Sequence, residues 1–253
     1  MEHKEYTARP GSASDPKGLV DLTEKGATID TERQRLDKRL FIQLLVFDGC
    51  SELSPIIKAV QGSGVEAALY EDLNNPRGFG LLTMSEDPEF FTTGLRRLVN
   101  VGPLADIRID DGCTMFGRTY ALGHEADLKD WLLDRPRRVV TAPENRWAIW
   151  YPLRRSGAFA KLAGKEQGEI LREHGVIGRA FGDAGLGQDI RLACFGLDRN
   201  DNDFVIGLIG KELLPLSKLV ETMRKTKQTS TYIEKLGPFF IGKTVWTSRK
   251  EDS

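Results

Sequence analysis

Leu69-Tyr-Glu-Asp-Leu-Asn-Asn-Pro-Arg-Gly-Phe-Gly-Leu-Leu82 and Phe195-Gly-Leu-Asp-Arg-Asn-Asp-Asn-Asp-Phe-Val-Ile-Gly-Leu208 share one rhythm. Each leaves an apolar stretch, crosses a polar turn rich in Asn and Asp, and enters a second apolar stretch, which is how two strands joined by a turn read. Each then runs through a short polar segment into a helix with proline in its first turn, Pro88 in one case and Pro215 in the other. Outward from the first stretch, 39–47 reads as a buried strand, 51–61 as a helix, 64–70 and 79–84 as strands, 87–98 as an amphipathic helix and 114–122 as a strand. Outward from the second, 147–153 reads as a strand, 161–181 as a longer helix, 189–196 and 204–209 as strands, 215–225 as a helix and 238–246 as a closing strand. The order is β-α-β-β-α-β written twice. Two such antiparallel sheets can face each other over one core. The predicted class is therefore α+β, with two ferredoxin-like halves forming a dimeric α+β barrel-type domain. The expected divisions are an extension over 1–35, mobile or draped, a first half over 36–130 and a second half over 131–250.

Composition narrows the function. The 253 residues carry a formal net charge of -1, which argues against a general nucleic-acid binder or a polybasic membrane anchor. No apolar run approaches the length that spans a bilayer. The first 17 residues are polar and lack the apolar segment of a secretory signal. Cys50, Cys113 and Cys194 are far apart and include no CxxC pair, so a zinc knuckle or a dithiol redox pair is not expected and a reduced, cytoplasmic protein is. The histidines are His3, His124 and His174 alone, too few for a multi-histidine metal site but enough for a cofactor that needs one.

His174 is the histidine that stands out. Ile170, His174, Ile177 and Phe181 fall at helical spacing, so the imidazole lies on an apolar stripe. Gly175 and Gly178 leave the backbone beside it bare, and a flat molecule could approach closely. A haem iron needs such a neutral imidazole as its axial ligand. A core histidine bonded to a backbone carbonyl is the plainer reading of the spacing by itself.

The second half also resembles the chlorite dismutase family, which includes the coproheme decarboxylases of haem biosynthesis. The residues that carry the likeness are Trp150-Tyr-Pro-Leu-Arg-Arg155, Arg172-Glu-His-Gly-Val-Ile-Gly-Arg179, Phe195-Gly-Leu-Asp198, Met223-Arg224, Thr229-Ser-Thr-Tyr232 and Leu236-Gly-Pro-Phe-Phe-Ile-Gly242. Their order and spacing cover about 135–242, and the repeat extends the match to about Arg39. The resemblance implies haem b or coproheme held through iron by His174, and a ring-shaped homo-oligomer, usually a pentamer. It implies a reactive tyrosine at Tyr151, whose phenol can give up an electron and a proton and then take hydrogen from a propionate. It aligns Arg135 and Arg137 with contacts to porphyrin carboxylates, for which a guanidinium fork is suited. Arg155 stands where the decarboxylases tend to have lysine; it can hold charge but cannot shuttle a proton.

The distal face is the loosest part of the likeness. Counting back from Phe195-Gly-Leu-Asp198 reaches Asp189, preceded by Gln188, while Arg191 shares the face of Asp189 on a strand. A carboxylate there would repel chlorite and could act as a base on peroxide; an arginine there would restore chlorite chemistry. The expected site is thus Tyr151, Asp189 and Arg191 for chemistry, Arg135, Arg137, Arg155, Gln188 and Ile177 around the cofactor, and His174 on the metal. The expected function is peroxide-dependent decarboxylation of coproheme to haem b, with a porphyrin and hydrogen peroxide or a small oxyanion as partners. The alternatives are chlorite decomposition to chloride and oxygen, or a haem-binding or haem-sensing protein without turnover. Arg224 and 229–232 are expected to be structural or to line the pocket mouth, and 198–203 to form a hairpin turn, not a calcium loop.

Overall fold

A computed structural model describes residues 20–248. In chain order the elements are β1 (Glu24–Ile29), β2 (Glu32–Leu36), β3 (Phe41–Asp48), α1 (Ser54–Ser63), β4 (Ala67–Asp72), β5 (Phe79–Ser85), α2 (Glu89–Thr92), α3 (Gly94–Val99), β6 (Arg108–Ile109), β7 (Met115–Thr119), α4 (Arg135–Thr141), β8 (Trp147–Arg155), α5 (Gly157–Ala160), α6 (Gly164–Asp183), β9 (Gln188–Ala193), β10 (Phe204–Gly210), α7 (Leu213–Met223), α8 (Lys227–Tyr232), β11 (Ile233–Leu236) and β12 (Phe240–Thr247).

The first half lays its strands in the order β7-β3-β5-β4 and the second in the order β9-β10-β8-β12, the ferredoxin-like order in both cases. Two seams join the halves. β7 pairs with β9 through Arg118 and Thr119, and β4 pairs with β12 from Ala68 to Asp72. Because β8 also pairs with β10, the path β10-β9-β7-β3-β5-β4-β12-β8 closes on itself. The result is a barrel, and closure removes the free strand edges that open sheets expose.

Strand alternation sorts the side chains into an inside and two outsides. Inward residues from both halves make one core, including Ile42, Leu44, Tyr70, Leu82, Trp150, Leu192, Val205 and Phe240. Outside the first half, Phe47, Leu69, Phe79 and Leu81 pack under Ile56 and Val60 of α1 and Leu95 of α3. Outside the second half, Ile149, Tyr151, Leu153, Phe204 and Leu208 pack toward α6 and α7, with Ile177, Phe181 and Met223 against them. Trp150 fits the interior because its cross-strand partner is Gly207, where a Cβ would stand 2.5 Å from the indole.

Several elements differ from the sequence reading. Residues 24–35, read as part of the extension, form with Leu36 the β1–β2 hairpin, tied down by Glu24 to Arg118 at 3.0 Å and to the Ala121 amide at 2.9 Å. The helix expected over 87–98 breaks at Thr93 into α2 and α3. Thr92 and Thr93 both return hydroxyl bonds to the Glu89 carbonyl, at 3.1 and 2.8 Å, competing with the helical ladder. Arg135 to Arg138, expected to offer carboxylate contacts and assigned to no element, start α4 behind a widened turn over Asp130–Asp134, since Pro136 is tolerated in a first turn. α8 and β11 were not anticipated. Thr226 caps α8 by accepting the Thr229 amide at 3.4 Å, a signal that is present in the sequence.

Candidate functional site

The outer face of the second half is where the expected site residues gather. Across three neighbouring strands Arg191 of β9 lies opposite Ile206 of β10, and Ile206 lies opposite Tyr151 of β8. At ordinary strand spacing, Arg191 and Tyr151 therefore rise from the sheet about 10 Å apart, on either side of Ile206. One pair along, Asp189 and Ile149 flank Leu208 in the same way.

Above Tyr151 and Ile206 is a cleft closed by α6, α7, α8 and β11. It holds about 350 Å³ of empty space, open mouth included, and its walls include Tyr151, His174, Met223, Arg224, Gln228 and Thr229. The remaining walls, such as Leu153, Val220 and Ile233, are apolar. His174 comes from the middle of α6, one turn beyond buried Ile170 and on the same stripe as Ile177 and Phe181. Beside it a Cβ on Gly175 would meet nothing within 4 Å, and one on Gly178 would meet Met223 at 3.6 Å.

His174 is half-buried, and its Nδ1 is buried without a hydrogen-bond partner. Burial pushes the imidazole pKa down to about 4, and the nearby cations Arg191 and Arg155 add to this against the opposing pull of Asp189. The ring is therefore neutral at pH 7, the form that binds a metal. Gln228, 4% exposed, lines the same cleft and leaves its Oε1 buried without a partner. A neutral imidazole with one unpartnered buried nitrogen and an unpartnered amide oxygen nearby fit an axial haem ligand with its supporting acceptor. Among the described residues no cluster of three or more His, Cys, Asp or Glu side chains is arranged to hold a metal ion.

Tyr151 is buried, and its ring stacks on Phe239 at 4.6 Å. Burial raises the phenol pKa, with the Asp189 charge adding to it, so the hydroxyl keeps its proton at neutral pH. Arg224 lies over Phe239 at 5.8 Å, beside the tyrosine. Arg155 is sandwiched between the rings of Phe159 and Phe204 at 4.8 and 4.7 Å, and its Nε is buried without a partner.

Asp189 and Arg191 are bound to each other. The Arg191 Nε donates to Asp189 Oδ2, Arg135 approaches the other carboxylate oxygen at 3.6 Å, and Arg135 Nη1 donates to the Asp189 carbonyl at 2.7 Å. Both guanidinium groups lie over the ring of Trp131, Arg135 at 4.9 Å and Arg191 at 5.9 Å. Arg135 thus joins the site through Asp189, while Arg137 stands apart from it. The Arg137 guanidinium holds Glu66 at 2.9 Å and Glu86 at 3.3 Å, both from the first half. Gln188 is exposed and alternates to the face opposite Asp189, and Ile177 packs below the helix beside His174.

The sequence reading did not single out Gln228, Trp131 or Tyr120. Tyr120 follows β7 of the first half and meets Phe204 of the second at 5.7 Å, and burial raises its phenol pKa against the opposing pull of Arg191 and Arg155. Its arrival depends on the β7–β9 seam, which no local pattern announces.

Comparisons of sequence and of fold both bear on this site. The sequence model described as chlorite dismutase matches residues 129–245. A haem-binding protein from Thermus thermophilus superposes with a TM-score of 0.62 at 15% identity, over 82% of this chain and 91% of that one. A double variant of the chlorite dismutase from Candidatus Nitrospira defluvii superposes with a TM-score of 0.63 at 15% identity, over 81% of this chain and 91% of that one. At such identities the superpositions establish a shared fold, and the sequence match covers the half with β8, α6 and the cleft. Over 129–245 the chain is thus similar in sequence to the family described as chlorite dismutase, and over most of its length it shares the fold of these proteins.

Proposed function

We propose that this chain is a haem-dependent oxidoreductase and that coproheme decarboxylation by hydrogen peroxide is its reaction. The observation that carries the reading is His174, a neutral imidazole lining an otherwise largely apolar cleft, with Nδ1 buried and unpartnered. When bound, the porphyrin would supply a redox-active iron on which the peroxide can be reduced. His174 would hold the iron, and Gln228, whose unpartnered Oε1 lies on the same cleft, is an acceptor available to fix the imidazole tautomer.

Tyr151 supports the choice of coproheme. A buried phenol that keeps its proton can pass an electron and a proton together, whereas a phenolate would pass only the electron. In this reading Tyr151, once it has given up that electron and proton to the peroxide, would take a hydrogen atom from a propionate chain, whose carboxylate would then leave as carbon dioxide with a vinyl group remaining. Each propionate gives up two electrons, and one peroxide with two protons accepts them as two waters. One of those protons comes from the propionate chain and the other from solvent, so the balance closes without another reactant. Arg224, which lines the cleft, and Arg155, whose Nε has no partner, are cations suited to carboxylates.

The test is anaerobic loading with ferrous coproheme, then peroxide titration and mass spectrometry of the porphyrin. Stepwise loss of two carboxyl groups is expected, with Tyr151→Phe retaining the porphyrin and losing turnover by at least about 100-fold, the scale of a positioned proton-transfer group. A Soret band absent from the wild type, or unchanged in His174→Ala, would refute the haem assignment. Turnover unchanged in Tyr151→Phe would remove the tyrosine route.

A further inference from the structure

We propose that Asp189 is a positioning residue that holds Arg191 by its Nε edge and offsets its charge, so that the site favours a neutral hydroperoxide over a free oxyanion. The inference rests on the haem reading above, and it concerns which oxidant reaches that site. Its basis is the Arg135–Asp189–Arg191 chain on the outer face of β9. One carboxylate oxygen takes the Arg191 Nε, and the other faces Arg135 at 3.6 Å. Arg135 donates to the Asp189 backbone carbonyl at 2.7 Å, which holds its guanidinium beside that carboxylate. Trp131 lies beneath both guanidinium groups and limits where they can swing.

The arrangement separates two properties of arginine that usually act together. Asp189 engages Nε, so the terminal nitrogens of Arg191 keep their N–H donors. Those donors can still bond a ligand oxygen. The positive charge behind them is compensated by a carboxylate attached to the same guanidinium. A small anion at the terminal nitrogens would sit a few ångströms from that carboxylate, in a partly buried site where repulsion is weakly screened. A neutral molecule with donor and acceptor oxygens, such as a hydroperoxide, meets the same donors without that penalty. Arg191 rises on the same face as Tyr151, with only Ile206 of the cleft wall between them, so the pair borders the cleft and not a remote surface.

The experiment compares the haem-loaded wild type with Asp189→Asn and Asp189→Glu. Fluoride and formate are titrated as small anions and imidazole as a neutral ligand, each followed through the Soret band. The expected result for Asp189→Asn is fluoride and formate binding at least ten-fold tighter, with imidazole affinity within two-fold of wild type. Asp189→Glu restores a carboxylate and should return anion affinity toward the wild-type value. The double variant Asp189→Asn with Arg191→Gln should lose the gain. A site disturbed only in structure would change anion and neutral affinities together, and that result, or no change in either, overturns the proposal.

A second readout needs no porphyrin. Iodide quenching of Trp131 fluorescence in the apoprotein, isolated by difference against Trp131→Phe, should rise at least two-fold in Asp189→Asn, because the iodide would be drawn to the exposed Arg191 charge. An unchanged quenching constant overturns the proposal. If the wild type takes up no haem, the earlier reading fails, and the quenching result alone decides whether Asp189 screens Arg191.

Discussion

Asp189 is worth following as a titrating group. Burial would raise its carboxyl pKa, but Arg191 and then Arg135 outweigh that and hold it below the ordinary 3.8. As pH falls, the unfolded chain is the first to take up this proton, so the stability contributed by the ion pair is complete above about 3.8 and is lost as pH drops through the lower folded value. Asp189→Asn removes that contribution at every pH. Urea unfolding should therefore show a wild-type advantage of about 1–3 kcal/mol at pH 7, the usual cost of leaving a buried partner unsatisfied. The advantage should hold down to about pH 5 and shrink below 3.8. An advantage that grows with acid would contradict the sign. At this scale the sequence was informative wherever periodicity fixes direction. Helical spacing put His174 on a stripe with Ile177, and strand alternation put Asp189 and Arg191 on one face. Ionic pairing between them was not legible, because two side chains on one face can meet each other or a ligand equally well. Arg137 shows the same limit, since its partners Glu66 and Glu86 are remote in sequence.

Among the elements, β10 shows how tightly a strand can be committed to its neighbour. Gly207 lies opposite Trp150, and an added Cβ would reach within 2.5 Å of the indole ring, which is wholly buried inside the barrel. The ring has no solvent side to move toward, so Gly207→Ala should destabilise by about 1–3 kcal/mol, as overpacked cores do. Differential scanning calorimetry should show this as a melting temperature lower by several degrees. The same substitution at Gly175 of α6, where a Cβ meets nothing within 4 Å, should be neutral or slightly stabilising in the apoprotein. Equal effects at the two sites would refute the packing argument. The strands were legible to within a few residues because apolar runs bounded by turn residues are a local signal. α8 was missed because its one strong signal is a threonine cap in a polar stretch, and burial of Gln228 there is decided by α6 packing over it. The break between α2 and α3 was missed because two threonine side chains override a good apolar period.

For the whole molecule, the two halves that repeat in sequence are not two independent bodies. The barrel core draws Ile42, Leu44, Tyr70 and Leu82 from one half and Trp150, Leu192, Val205 and Phe240 from the other. Separating the halves would open both seams and uncover that core. A fragment spanning 129–248 should therefore lack cooperative unfolding and near-ultraviolet circular dichroism, although it contains His174, Tyr151 and the whole cleft. Mixing it with a fragment spanning 20–128 should restore both signals. A fragment that melts cooperatively alone would show that the second half is a domain in its own right. The duplication itself was readable from two matching turns. Closure into a ring was not, because a seam is a pairing between strands far apart in the chain.

The walls of the cleft are built to different standards. β8, which carries Tyr151, is hydrogen-bonded to β10 along one edge and to β12 and then β11 along the other. α6, which carries His174, is twenty residues long, and only Ile170 is buried. One jaw is thus anchored in the frame of the molecule and the other rests against it by a single stripe. Amide hydrogen exchange should find β8 opening only with global unfolding and α6 opening well before it. A rigid planar guest would then enter by lifting the helix and would lock it down on arrival, slowing exchange along α6 and leaving β8 as it was.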